Sequence, residues 1–316
     1  MTQSSFRTLV VANPMSANGT LGRDWKRHEA VIRRAFGAFA HRMTRSPGDA
    51  ADLAREAAEE GYEMVVAMGG DGTISEVTDG LFSQDGPVAP DVVLGVLPFG
   101  TGGDFRKSIG APKDLASGAR SLAGRETRSV DVARLTYTDP AGRQRIRHYI
   151  NIASFGIGGL VDELVNHTTK ALGGRLSFAV ATVRAMRRFK PQRALISLDG
   201  GPEKPVTLHN VAVANGRYFG GGMHIAPRAE LDDGLLDVIT LGPMSMKDLL
   251  LSGHRVYAGT HLDLPHVTMA RARKVEARPA APADRVLLDV DGETPGHLPA
   301  TFEVLPQALR LKVPGG

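Results

Sequence analysis

Two glycine-rich loops, each following a short apolar run, carry the residues with the plainest chemical potential. The first run, Val65-Val66-Ala67-Met68, opens into Gly69-Gly70-Asp71-Gly72-Thr73. Glycines permit positive φ and let backbone N–H groups come close to a ligand. A helix read over residues 74–81 points its N-terminus at the same place, so the loop is suited to phosphates. Asp71 is the unusual member, because a carboxylate repels a polyphosphate. It fits as a ligand for a cation, an orienter of water or a contact for an acceptor hydroxyl. A tight strand-to-helix turn with a solvated acid is the alternative. The second run, 92–97, opens into Pro98-Phe99-Gly100-Thr101-Gly102-Gly103-Asp104-Phe105. As strands of one parallel sheet, both runs would bring their loops to one crevice beyond the carboxyl ends.

The elements that must position these loops are legible around them. Residues 8–12 read as a first strand. Residues 24–40 read as a helix, with Trp25, His28, Val31, Ile32, Ala35 and Phe39 at helical spacing. Asp49 offers an N-cap, 50–60 is rich in Ala and Glu, and Gly61 supplies a stop. The βαβαβα order predicts a parallel sheet with right-handed connections. Near Val130 the pattern changes to alternating strands with turn signals at 139–142 and 199–202. The expected class is α/β: a doubly wound parallel-sheet nucleotide-binding domain over 1–130, then a mostly antiparallel, β-sandwich-like domain over 131–305.

The two loops together, GGDGT and PFGTGGDF, resemble the soluble diacylglycerol kinase catalytic family, which includes bacterial lipid kinases and the sphingosine and ceramide kinases. The GGDG loop is also shared with NAD kinases and, more distantly, phosphofructokinases. Further matches follow in family order: Asn13-Pro14-Met15-Ser16-Ala17-Asn18-Gly19, Thr44, 151–156, Gly220-Gly221-Gly222 leading to Ala226-Pro227, 230–238, and Asp289-Val290-Asp291-Gly292-Glu293. The resemblance implies ATP and Mg2+ as cofactors. It implies a nucleotide held by Asn13, Pro14, Met15, Ser16, Ala17, Thr44, Gly69, Gly70, Asp71, Gly72, Thr73, Ile74, Ser75 and Thr101. Its catalytic set is Glu293 as proton acceptor with Asp71 and Asp291, Asp71 ordering magnesium through water. It places a structural magnesium on the Asp233 carboxylate and the carbonyls of Glu230 and Leu235, and returns the tail 306–316 to the first domain. On the residues alone, Asp291-Gly292 also reads as a hairpin turn and Asp233-Gly234 as a plain turn. The sequence departs from the family at Gly103, usually Asn, at Arg106, usually Ala, and at Ser75, frequently Asn.

Composition agrees with a cytosolic enzyme. A length of 316 residues favours two domains, and the absence of cysteine excludes disulfides and thiolate metal sites. Neither a signal-peptide core nor a membrane span is read. The net charge of +4 allows attraction to anionic surfaces. One Trp, five Tyr and no nucleic-acid-binding pattern argue against nucleic acid. A helix is read with Leu176, Ala179, Val180, Val183 and Met186 as an apolar stripe and Arg184, Arg187 and Arg188 on another face, extended by Lys190 and Arg193. Those cations either meet lipid headgroups or complement the helix dipole as a solvated face. No Walker loop, hydrolase elbow or H-E-x-x-H pair occurs; His261 and His266 read as loop residues and His224 as a surface residue.

The sequence therefore reads as a lipid kinase phosphorylating a diacylglycerol-like hydroxyl with Mg-ATP. It is expected in the cytoplasm, peripheral to the inner face of the membrane, with its lipid substrate and ATP as partners and a homodimer left open. An NAD kinase-type enzyme and a regulator without catalysis are the alternatives.

Overall fold

The runs Thr8–Ala12 and Met64–Gly69 are buried at every position, as parallel strands covered by helices on both faces require. The computed structural model describes residues 6–100, 103–158, 191–243 and 246–313. The chain divides into two units, Met1–Val132 with Gln307–Gly316, and Ala133–Pro306.

The first unit runs β1 (Thr8–Ala12), α1 (Thr20–Arg23), α2 (Trp25–Phe36), β2 (Ala40–Met43), α3 (Asp49–Glu59), β3 (Met64–Gly69), α4 (Asp71–Gly80), β4 (Phe82–Ser83), β5 (Gly86–Pro87), β6 (Val93–Pro98), α5 (Asp104–Ser108) and α6 (Leu115–Ser121). Strand β7 (Arg128–Thr138) begins here. The parallel order is β6-β3-β1-β2. Strand β6 is extended in parallel by Arg310 and Leu311 opposite Val93 and Leu94. One face of the sheet, with Val10, Val66 and Met68, packs on Ile32 and Phe36 of α2 and Ala119 of α6. Helices α3 and α4 also contact the sheet and pack on each other, giving the doubly wound arrangement.

Three local readings are corrected. The helix expected to reach Ala40 stops at Phe36, because Gly37 adopts φ 104°, where helical bonding cannot continue. Gly48, not Asp49, stands at the cap of α3; the Asp49 carboxylate instead accepts the Arg45 N–H at 2.7 Å. Helix α4 begins at Asp71, three residues before the expected start.

The second unit holds the rest of β7, then β8 (Gln144–Tyr149), β9 (Ile152–Gly156), β10 (Gln192–Leu198), β11 (Lys204–Leu208), β12 (Asn210–Ala214), β13 (Leu236–Leu241), α7 (Met246–Ala258), β14 (Val267–Ala272), β15 (Lys274–Pro279), β16 (Leu288–Val290) and most of β17 (His297–Leu311). Its registered pairs are antiparallel, in the orders β11-β10-β15-β17 and β14-β13-β12-β9-β16, with β8 against β7. Inward residues of the two sheets form one core; Phe155 of β9 stacks on Phe302 of β17 at 6.0 Å. No helix among the described residues is long and apolar enough to cross a membrane. The basic helix read at 176–190 lies outside the described residues, and Arg193 is part of β10.

Candidate active site

In the first unit, the loops expected to hold a nucleotide follow the carboxyl ends of β1, β3 and β6, where open α/β sheets bind ligands. The three glycines after β3 are used for room. None of Gly69, Gly70 and Gly72 has positive φ. A Cβ on Gly69 would lie 2.7 Å from the Thr73 Cβ, so a side chain there would displace Thr73, whereas a Cβ on Gly70 or Gly72 would meet nothing within 4 Å. Asp71 and Gly72 open α4, so their N–H groups lack intrahelical acceptors and border that open space. The N–H groups of Thr73 and Ile74 are satisfied by the Gly70 carbonyl at 3.0 and 3.2 Å, and the side chains of Thr73, Ile74 and Ser75 are buried.

The loop after β1 is tied to this helix. Asn13 donates from Nδ2 to Thr73 Oγ1 at 3.3 Å, and its Oδ1 accepts the Met15 N–H at 3.0 Å. Pro14 packs under Gly22, whose Cβ would fall 2.7 Å from the Pro14 Cβ, while Met15 is 74% exposed. The Ser16 N–H is bonded to the Asn13 carbonyl, and Ala17 and Asn18 adopt φ 51° and 57°. Thr44, just past β2, bonds through its N–H to the Ala12 carbonyl at 3.0 Å. Thr101 lies outside the described residues.

Asp71 reaches the second glycine loop. Its Oδ2 accepts the Gly103 and Asp104 N–H groups at 2.9 and 3.0 Å, and its Oδ1 accepts that of Phe105 at 3.0 Å. Gly103 turns the chain into α5 with φ 78°, ψ 48°, a left-handed conformation that glycine and asparagine both tolerate. A Cβ there would lie 3.3 Å from Arg106 Nε, so the two departures from the family pattern share one small space. Burial pushes the Asp71 carboxyl above its ordinary pKa range; the Asp104 charge adds to this, and the three N–H bonds oppose it. A carboxylate offers about four lone-pair positions, so one on Oδ1 remains for a water.

In the second unit, Asp291 and Gly292 have φ 51° and 87°, and Val290 and Glu293 exchange backbone bonds across them at 2.9 and 3.1 Å. This is the two-residue hairpin turn with both central residues left-handed. Asp289 braces it, accepting the Gly292 N–H at 3.0 Å and the Ser154 hydroxyl at 3.1 Å. Asp291 Oδ1 accepts the Ile152 N–H at 3.3 Å, so this acid anchors the turn to β9. Glu293, 43% exposed, is gripped by Arg147, whose Nη1 donates to Oε2 at 2.7 Å. Arg147 carries no motif; it sits on β8, and the acid it grips lies 146 positions away.

In the Glu230–Leu235 loop both oxygens of the Asp233 carboxylate already face partners. Asp233 Oδ1 accepts the Leu235 N–H at 3.0 Å, and Oδ2 faces the Arg271 guanidinium at 3.5 Å. Among the described residues no three His, Cys, Asp or Glu side chains gather as a metal cluster. His261, expected in a loop, is fully buried and bonds through Nε2 to the Ile225 carbonyl at 3.0 Å. His224 stacks on Tyr218 with centroids 4.2 Å apart.

Residues 7–135 match the model of the diacylglycerol kinase catalytic domain, and residues 151–313 that of the YegS C-terminal NAD kinase beta sandwich-like domain. A Bacillus subtilis (strain 168) protein named diacylglycerol kinase is 28% identical over 98% of this chain and 96% of its own length. A Chromohalobacter salexigens protein named "Probable lipid kinase YegS-like" is 31% identical over 91% of this chain and 88% of its own. A solved diacylglycerol kinase structure from Bacillus anthracis str. Sterne superposes with a TM-score of 0.69 at 20% identity, covering 98% of both chains. A second structure from that strain gives 0.77 at 24%, covering 98% of this chain and 96% of that one. The chain belongs to the diacylglycerol kinase-like family of lipid kinases.

Proposed function

We propose that this kinase transfers the γ-phosphoryl group of ATP to a hydroxyl of a diacylglycerol-like lipid taken from the cytoplasmic face of a membrane. The observation that carries the reading is Glu293: a solvent-accessible acid closing a two-residue turn, with Oε2 held by Arg147 and Oε1, among the described residues, left to accept a proton. The acceptor hydroxyl gives its proton to Glu293 as its oxygen bonds to the γ-phosphorus, the bond to the β,γ-bridging oxygen breaks and ADP departs. Such a transfer passes through a loose transition state, so a carboxylate fixed in position matters more than a strong base.

The phosphates would be met by the Asp71 and Gly72 N–H groups at the start of α4, over glycines that leave open space, with the Asn13–Ala17 loop beside them. Magnesium accompanying the nucleotide would neutralise phosphate charge, with Asp71 contributing through a water on its remaining Oδ1 position. Asp71 has a second task here, since the same carboxylate holds the second glycine loop.

The test is transfer of radiolabelled γ-phosphate from Mg-ATP to a panel of micellar lipids and to NAD. Label in a diacylglycerol-like lipid is the expected result. Label in NAD alone, or none despite measurable ATP binding, would overturn the reading.

A further inference from the structure

Arg271 sits on β14 directly across from Asp237 on β13, and its guanidinium is engaged in three directions. Nε donates to Asp237 Oδ1 at 2.9 Å, Nη1 stands 3.5 Å from Asp233 Oδ2, and Nη2 donates to the Arg228 carbonyl at 2.7 Å. One planar fork thus ties both ends of the 228–237 segment to the sheet. The Asp237 side chain is 2% exposed, and its Oδ2 is buried with no hydrogen-bond partner among the described residues. Burial raises the pKa of that carboxyl, and Arg271 is the chief opposing influence. A buried acid in this setting needs a fixed positive charge close by.

A divalent ion on Asp233 would bind oxygen at about 2.1 to 2.6 Å. The guanidinium nitrogen already stands 3.5 Å from Oδ2 of that carboxylate, and Oδ1 accepts the Leu235 N–H; a second cation on Oδ2 would be repelled by the first. A divalent ion on Oδ2 would have to displace the arginine. We propose that Arg271 is the resident cation of the Glu230–Leu235 loop, serving in place of a structural divalent ion. Removing the guanidinium would free Asp233 Oδ2 beside the buried Asp237 carboxylate and turn the loop into a divalent-cation site.

The test needs no substrate and is independent of which lipid is phosphorylated. Thermal midpoints are measured without nucleotide for the full chain, its Arg271→Ala and Asp233→Asn variants and the Asp233→Asn/Arg271→Ala double variant, each in EDTA, Mg2+ and Ca2+. The unaltered protein should melt at one temperature in all three solutions. Arg271→Ala should melt roughly 5 °C or more lower in EDTA and recover in Mg2+ or Ca2+, and the double variant should lose that recovery. If Arg271→Ala does not fold, Arg271→Lys, which keeps the charge, should fold with a cation-insensitive midpoint. A midpoint of the unaltered protein that rises with Mg2+ and loses that rise in Asp233→Asn would overturn the proposal. So would an Arg271→Ala variant that melts like the parent, one that no divalent ion restores, or a cation-sensitive Arg271→Lys.

Discussion

Asp71 and Glu293 are both acids beside a glycine at a change of chain direction, but they are held in opposite ways. Asp71 is turned inward, its oxygens taken by three N–H groups of the neighbouring loop. Glu293 is turned outward, one oxygen fixed by a single arginine and the side chain 43% exposed. A motif places an acid without telling whether its lone pairs serve its own backbone or are open to a ligand. Asp139 extends the contrast. It too is engaged, by the Ala141 and Arg143 N–H groups and by the guanidiniums of Arg143 and Arg145, yet these hold its pKa down at about 2, whereas burial drives Asp71 upward. Three similar carboxyls thus differ according to what surrounds them.

The outward-facing acid should be the more sensitive of the two. Glu293→Gln keeps shape but cannot accept the proton, so kcat should fall by about 10²–10⁴ with the thermal midpoint unchanged. A midpoint that falls with kcat intact would make Glu293 a structural residue.

On the closed side, Asp71→Asn replaces one oxygen by a donor and leaves one or two N–H groups without acceptors. Stability should drop by about 1–3 kcal/mol along with turnover, measurable by denaturant unfolding. An Asn variant as stable as the parent would show that the three bonds do not hold the second loop. The linkage has a definite sign. With its folded pKa raised, the native state binds this proton more tightly than the unfolded chain, so the Asp71 contribution to stability declines as pH rises through the folded value. Asp71→Asn should remove that slope.

A smaller effect separates backbone from side chain in the first loop. Ala17 holds φ 51°, a left-handed conformation that burdens any residue with a Cβ. Ala17→Gly should raise stability by about 1 kcal/mol, read as a shift in unfolding midpoint. An unchanged or lower midpoint would mean that the Ala17 methyl contributes contacts outweighing the strain. The smallest effect concerns Asp139. A folded pKa of about 2, against an ordinary 3.8, gives stability that is present above pH 4 and lost as pH falls toward 2. Asp139→Asn should flatten the acid limb of the unfolding curve in that window only; an unaltered limb would assign the acid sensitivity elsewhere.

What could be read in advance was where chemistry-bearing residues stand along the chain, since strand-loop-helix order follows from local pattern. The positions of the 69–75 and 98–105 loops at strand ends were legible for that reason. Their internal use was not: Gly69 is required because Thr73 packs against it, and α4 starts at Asp71 because Gly70 itself supplies the cap. Arg271 escaped because it meets Asp237 through antiparallel pairing, and Arg147 because the acid it holds lies 146 positions away. Register between distant strands depends on tertiary packing, which no local window contains.

The return of residues 307–312 to the first unit bears on how the protein is made. Arg310 and Leu311 pair with β6, the Lys312 N–H bonds to the Leu94 carbonyl at 2.8 Å, and Lys312 Nζ reaches the carbonyls of Gly124 and Glu126. On the ribosome, the first 132 residues emerge long before that last segment is synthesised, so β6 waits with its partner edge uncovered while the whole second unit is translated. Nascent chains arrested before residue 307 should therefore be cleaved readily by protease near β6, and those extended past 312 should resist.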